Sequence, residues 1–177
     1  KSRSLASKAA AAGREAQRAI ELADDVRTLL DWFRRDVLAV AADDCATRCG
    51  LYDWIVEELR TREPRCEHRI RPIRVLLENH RDELLAFAEQ LDADLAHVAK
   101  QYEVSVVEVR EALAVQQMDE GRPRRWQREQ GLWSRLGRKY AGIRKEVEEI
   151  ASRVVRASSA IENLNSRLRN YFFLRKQ

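Results

Sequence analysis

Apolar residues recur every three or four positions along most of this chain, the spacing that puts them on one face of a helix. Ile20, Val26, Leu30, Phe33, Val37 and Val40 mark such a face on a first helix that reaches back toward Ser4. Asp43, Asp44 and Gly50 loosen the next stretch, and Leu51, Ile55 and Leu59 then give a short helix, followed by a connection containing Pro64. From a start near Arg69 to Pro72, the residues Ile73, Leu77, Leu84, Phe87, Leu91, Leu95 and Val98 line one side of a long helix. Pro72 is placed in its first turn, where a missing N–H is tolerated. Ser105 and Glu108 have the spacing of a capping box and open a helix through Val109 and Leu113 to about Gln117, which Gly121 and Pro123 close. Leu136, Tyr140, Ile143, Val147, Ile150 and Val154 are helical again, and Ser158 or Ser159 caps a last helix carrying Ile161, Leu164, Leu168 and Phe172. No segment has the pattern of a sheet.

Composition strengthens this picture. Ala, Leu, Arg and Glu dominate, only six Gly and three Pro interrupt 177 residues, and a 45% hydrophobic content suffices for a core. The expectation is an all-α protein, an irregular helical bundle over residues 1–155 with a separate C-terminal helix over 156–177. Pro64, Pro72 and Pro123 force reversals, which argues against a continuous coiled coil. No run approaches the roughly 20 apolar residues of a membrane span, so a soluble chain with no membrane partner is expected. Three cysteines without a signal peptide fit thiols in a reducing compartment. The start at Lys1 and the uncapped finish at Gln177 read as a piece of a longer protein.

Charge matters through its distribution, because 33 basic residues nearly cancel against 29 acidic ones. From Arg122 to Lys145 nine basic residues face one acid, Glu129, a local charge of +8. Arg122, Arg124, Arg125 and Arg128 surround Trp126 in sequence, and Trp133 follows. Arginine neutralises phosphate, and Trp stacks on an unpaired base for about 1 to 3 kcal/mol, so this segment is a candidate DNA surface. The alternative is that both Trp rings pack inside the bundle while the arginines form a solvated face.

In the last helix Glu162, Asn165, Arg169 and Phe173 share one stripe beside the apolar one. A carboxylate there suits Mg²⁺, a hard cation that takes one or two protein carboxylates; alternatively Glu162 is a solvated side chain favoured by the helix dipole. Arg167 and Arg169 add charge that can hold phosphate. Cys45, Cys49, Cys66 and His68 contain zinc-ligand residue types, but C-x3-C, 16 residues, C-x-H fits no common finger, and they read as thiols.

The block Ser158-Ser159-Ala160-Ile161-Glu162-Asn163-Leu164-Asn165-Ser166-Arg167-Leu168-Arg169 resembles the surroundings of the last acidic residue in bacterial DDE-type transposases with a helical insertion domain. Asp31 to Leu38, Leu51-Tyr52-Asp53 and His68 to Pro72 look like the insertion of such elements, so the resemblance covers most of the chain. It implies that residues 1–155 are the helical insertion of a ribonuclease H-like domain and that Glu162 is its third metal ligand. In the intact enzyme Mg²⁺ (or Mn²⁺) would then support DNA cleavage and strand transfer, with transposon ends and target as partners, and with a bacterial, nucleoid-associated cytoplasmic location and an oligomer as further expectations. Asp24, Asp25, Asp43 and Asp44 all lie in helical or helix-end sequence, so the two strand-borne aspartates of that family have no counterpart here. The chain alone should not cleave DNA. The other classes are a non-catalytic helical DNA-binding module and a structural interaction bundle.

Overall fold

A computed structural model describes the backbone of residues 2–157 and the side chains of residues 7–154. Among the described residues it is all-α, with seven helices and no strand. α1 (Ser2–Trp32) passes into a π-helical turn at Phe33–Val37, and a loop leads to α2 (Cys45–Arg62). A 3₁₀ turn, Glu63–Arg65, joins α2 to α3 (Glu67–Asn79), and α4 (Arg81–Tyr102), α5 (Val106–Gln116), α6 (Pro123–Leu136) and α7 (Lys139–Ala157) follow. The helix expected over 156–177 lies, beyond Ala157, outside the described residues.

Several starts have a local chemical cause. The Asp44 carboxylate accepts the Thr47 N–H at 2.8 Å and opens α2, while the Ser105–Glu108 capping box opens α5 as its sequence predicts. Pro123 occupies the first turn of α6. Four expectations change, one being that Leu136 ends α6 while Tyr140 to Val154 belong to α7, with Gly137 between them. α2 is 18 residues long rather than short, and Gly50 lies inside it without breaking it. The seam of α1 begins at Leu22, followed by Val26, Leu29, Phe33 and Val37, whereas Ile20 is 55% exposed and Leu30 only partly buried. The long helix expected from Arg69 to Val98 is two helices divided at His80, and Pro72 sits past the first turn of α3. At the break the Tyr52 hydroxyl donates to the Leu77 carbonyl at 2.5 Å, and the His80 imidazole bonds the Glu83 carboxylate at 2.8 Å. Leu77 and Leu84 are both buried across the division, which is why the apolar seam runs through it.

The helices enclose two cores. α1, α2, α3 and the start of α4 bury Phe33, Tyr52, Ile55, Leu59, Ile73, Leu77 and Leu84. The rest of α4 with α5, α6 and α7 buries Leu91, Leu95, Leu113, Leu132, Tyr140, Ile143 and Val147. α4 runs through both, and Phe87 packs against each.

At this junction lies a charge with no solvent contact. The Arg48 guanidinium donates to the carbonyls of Val37, Ala39, Val40 and Asp43 at 2.6, 2.7, 3.0 and 2.5 Å, and sits 5.2 Å from the Phe87 ring centre. Burial first, then the like charge of Arg110, lowers its pKa to about 10, so it stays protonated at neutral pH. Asp92 of α4 completes the joint, accepting the Cys45 N–H at 2.8 Å and pairing with Arg110 of α5 at 2.5 Å.

Candidate nucleic-acid interface

α6 and α7 form an antiparallel hairpin closed by Gly137, whose φ of 53° is open to glycine and strained for other residues. Trp133 packs edge-on against Tyr140 at 5.2 Å, and further from the turn Glu129 meets Arg144 at 3.3 Å. Leu132 and Leu136 point α6 into the second core. Trp126 and Trp133, seven residues apart, share a flank of that buried stripe and remain 67% and 46% exposed. Neither is packed away in the bundle.

With Gln130, Glu129, Arg125 and Arg144 the two rings line a groove of about 420 Å³ between α6 and α7. It adjoins a second hollow of about 480 Å³ beneath the end of α5, with Arg125, Arg144 and Glu120 common to both. The floor is close to neutral, because Arg125 and Arg144 stand beside Glu120 and Glu129. Burial raises the Tyr140 pKa, and Glu129 adds to the shift, so the phenol stays protonated and donates to that carboxylate at 3.4 Å. What the groove offers a ligand is aromatic area.

The arginines that flank Trp126 in sequence do not surround it in space. Two residues along a helix turn it by about 200°, so Arg124 and Arg128 lie on the far flank of α6 from Trp126. Arg135 shares their flank and pairs with Glu111 of α5, with Arg128 at 3.9 Å from the same residue. Arg122 pairs with Asp119 at 3.0 Å. Arg125 is nearly buried and donates to the Met118 carbonyl at 2.9 Å, closing the end of α5. Glu111, Asp119, Glu120 and Glu129 thus fold onto the basic segment and offset part of its charge. Among the described residues no carboxylate lies within 4.0 Å of Arg124, Arg138, Lys139 or Lys145, all of which are exposed. Nothing in the sequence signals Glu111, because its role comes from packing α5 on α6.

The remaining site residues separate. Glu162, Asn165, Arg167 and Arg169 lie outside the described residues. Cys45 and Cys49 stand in the first turns of α2, and Cys66 and His68 beyond its far end, a helix length of about 26 Å away. Among the described residues no group of three or more His, Cys, Asp or Glu side chains is placed to hold a metal ion, and no helix is long and apolar enough to cross a membrane. No protein-family model, curated protein or solved structure matches the chain.

Proposed function

We propose that this chain is the helical insertion and terminal helix of a DNA transposase, and that its α6–α7 hairpin is the part that holds DNA. The observation behind the DNA contact is Trp126, a large aromatic ring left two-thirds exposed along a groove that Trp133, on the same flank of α6, also lines. Folding usually hides such a ring, and an exposed one offers a stacking platform for an unpaired base. Arg124, Arg128, Arg138, Lys139 and Lys145 supply backbone charge around the hairpin, while Arg122 and Arg125 hold the end of α5 and the start of α6. Stacking and phosphate contact are therefore separate functions on different flanks.

Binding to duplexes with and without unpaired bases, measured over a range of salt, tests this division. Trp126→Ala should weaken binding to the unpaired-base duplex by about 5- to 150-fold, the equivalent of 1 to 3 kcal/mol, with little change in salt dependence. Arg124→Ala with Arg128→Ala should weaken binding to both duplexes and reduce the salt slope by about 2. Absence of binding at low salt would instead favour a structural interaction bundle. The transposase assignment itself rests on the resemblance around Glu162; the described residues offer no set of metal ligands, so Mg²⁺ remains tied to that resemblance. Glu162→Gln in the full-length enzyme should abolish cleavage and leave DNA binding intact, and cleavage at the wild-type rate would refute the assignment.

A further inference from the structure

The joint that Arg48 holds also contains a dithiol. Cys45 and Cys49, one helical turn apart at the start of α2 and both part-buried, place their sulfurs 4.0 Å from each other. The third cysteine, Cys66, lies beyond the other end of the helix. Arg48 belongs to the same turn, and the Cys45 N–H is bound to Asp92.

We propose that Cys45 and Cys49 form a modification site at which a low-molecular-weight disulfide oxidises the pair to an intrahelical disulfide, and that this bond loosens the Arg48 clamp. Burial raises the Cys45 pKa and keeps that thiol protonated, so Cys49 attacks first. Its proton goes to solvent, its sulfur bonds to one sulfur of the oxidant, and the other leaves as a thiolate. Cys45 then gives up its proton and attacks the Cys49 sulfur of the mixed disulfide, expelling the second thiolate. The protein loses two protons and two electrons, and the oxidant takes them up as two thiols.

Closure has a structural consequence. A disulfide needs Cβ atoms about 3.5 to 4.5 Å apart, whereas positions i and i+4 on a regular helix stand about 5 to 6 Å apart. The turn must tighten by about 1 to 2 Å. It also carries the Asp44 cap, the bond to Asp92 and the four Arg48 hydrogen bonds, so its distortion reaches the loop between α1 and α2.

Incubation of the full chain with glutathione disulfide, followed by intact-mass and hydrogen-exchange analysis, tests the proposal. The monomer should lose the mass of two hydrogens, as should the Cys66→Ser variant, whereas Cys45→Ser, Cys49→Ser and Cys49→Ala should not. Amides of residues 37–48 should exchange at least about tenfold faster after oxidation and recover with dithiothreitol. A stable glutathione adduct without closure, or a linked dimer through Cys66, would overturn the pair as the site. Closure with unchanged exchange over 37–48 would overturn its coupling to the clamp.

Discussion

A guanidinium shut away from water must find its hydrogen bonds inside the protein, and Arg48 finds four on backbone carbonyls that no helix satisfies. The side chain thus does for the loop between α1 and α2 what a ladder of N–H groups would do for a strand. Its planar fork reaches several carbonyls at once, which an ammonium on a flexible stem does not. Arg48→Met should lower the free energy of unfolding by at least about 3 kcal/mol, because it strands buried carbonyls. Arg48→Lys should recover only part of that loss. Urea denaturation measures both, and a lysine variant as stable as wild type would remove the fork geometry from the account. The residue is partly legible in the sequence: Arg48, Tyr52, Ile55 and Leu59 follow helical spacing, so an arginine stands where the seam calls for an apolar side chain. Its acceptors are not legible, since they lie in a loop positioned by the π-helical turn.

Among the elements, α6 and α7 depend on one backbone conformation. Gly137 has φ 53° and ψ −132°, a region closed to side chains, and it turns the chain so that Trp133 meets Tyr140. Gly137→Ala should cost about 1 to 3 kcal/mol and weaken the hairpin that carries Trp126 and Trp133. Gly131, inside α6, has nothing within 4 Å of an added Cβ, so Gly131→Ala should stabilise by about 0.5 to 1 kcal/mol. Denaturant midpoints of the two variants should therefore move in opposite directions; a shift of the same sign would contradict the roles given to these glycines. The capping box at Ser105 has a local cause and can be read directly from the sequence, whereas Pro123, whose sequence reading closes the segment after α5, instead opens α6. The division at His80 cannot, because a tertiary hydrogen bond from Tyr52 helps to make it and no glycine or proline marks it. The end of α4 is similarly hidden, with Glu103 rather than glycine in the left-handed conformation at φ 51°. At the candidate site the basic and aromatic residue types are visible in the sequence, but their separation onto two flanks and the closing role of Arg125 follow only from how α6 packs.

On the scale of the whole molecule, two cores share α4, and only part of α1 belongs to either. Its packed portion begins at Leu22, and every side chain from residue 7 to residue 21 is exposed. The alanines of that stretch have high helix propensity, so the helix continues past the body without needing contacts from it. Stability should accordingly reside in residues 22–157, where the two cores and the Arg48 joint lie, and the groove on α6 and α7 should be insensitive to what happens at the start of α1. Removing residues 1–20 should reduce the helical circular dichroism signal by the contribution of that segment. It should leave the urea unfolding free energy within about 0.5 kcal/mol of the full chain, as for surface changes that touch no core or cap. The same truncation should not alter the DNA binding proposed for Trp126, because α1 packs in the first core and the α6–α7 hairpin in the second. A loss of more than about 1 kcal/mol would show that the exposed half of α1 contributes to the body.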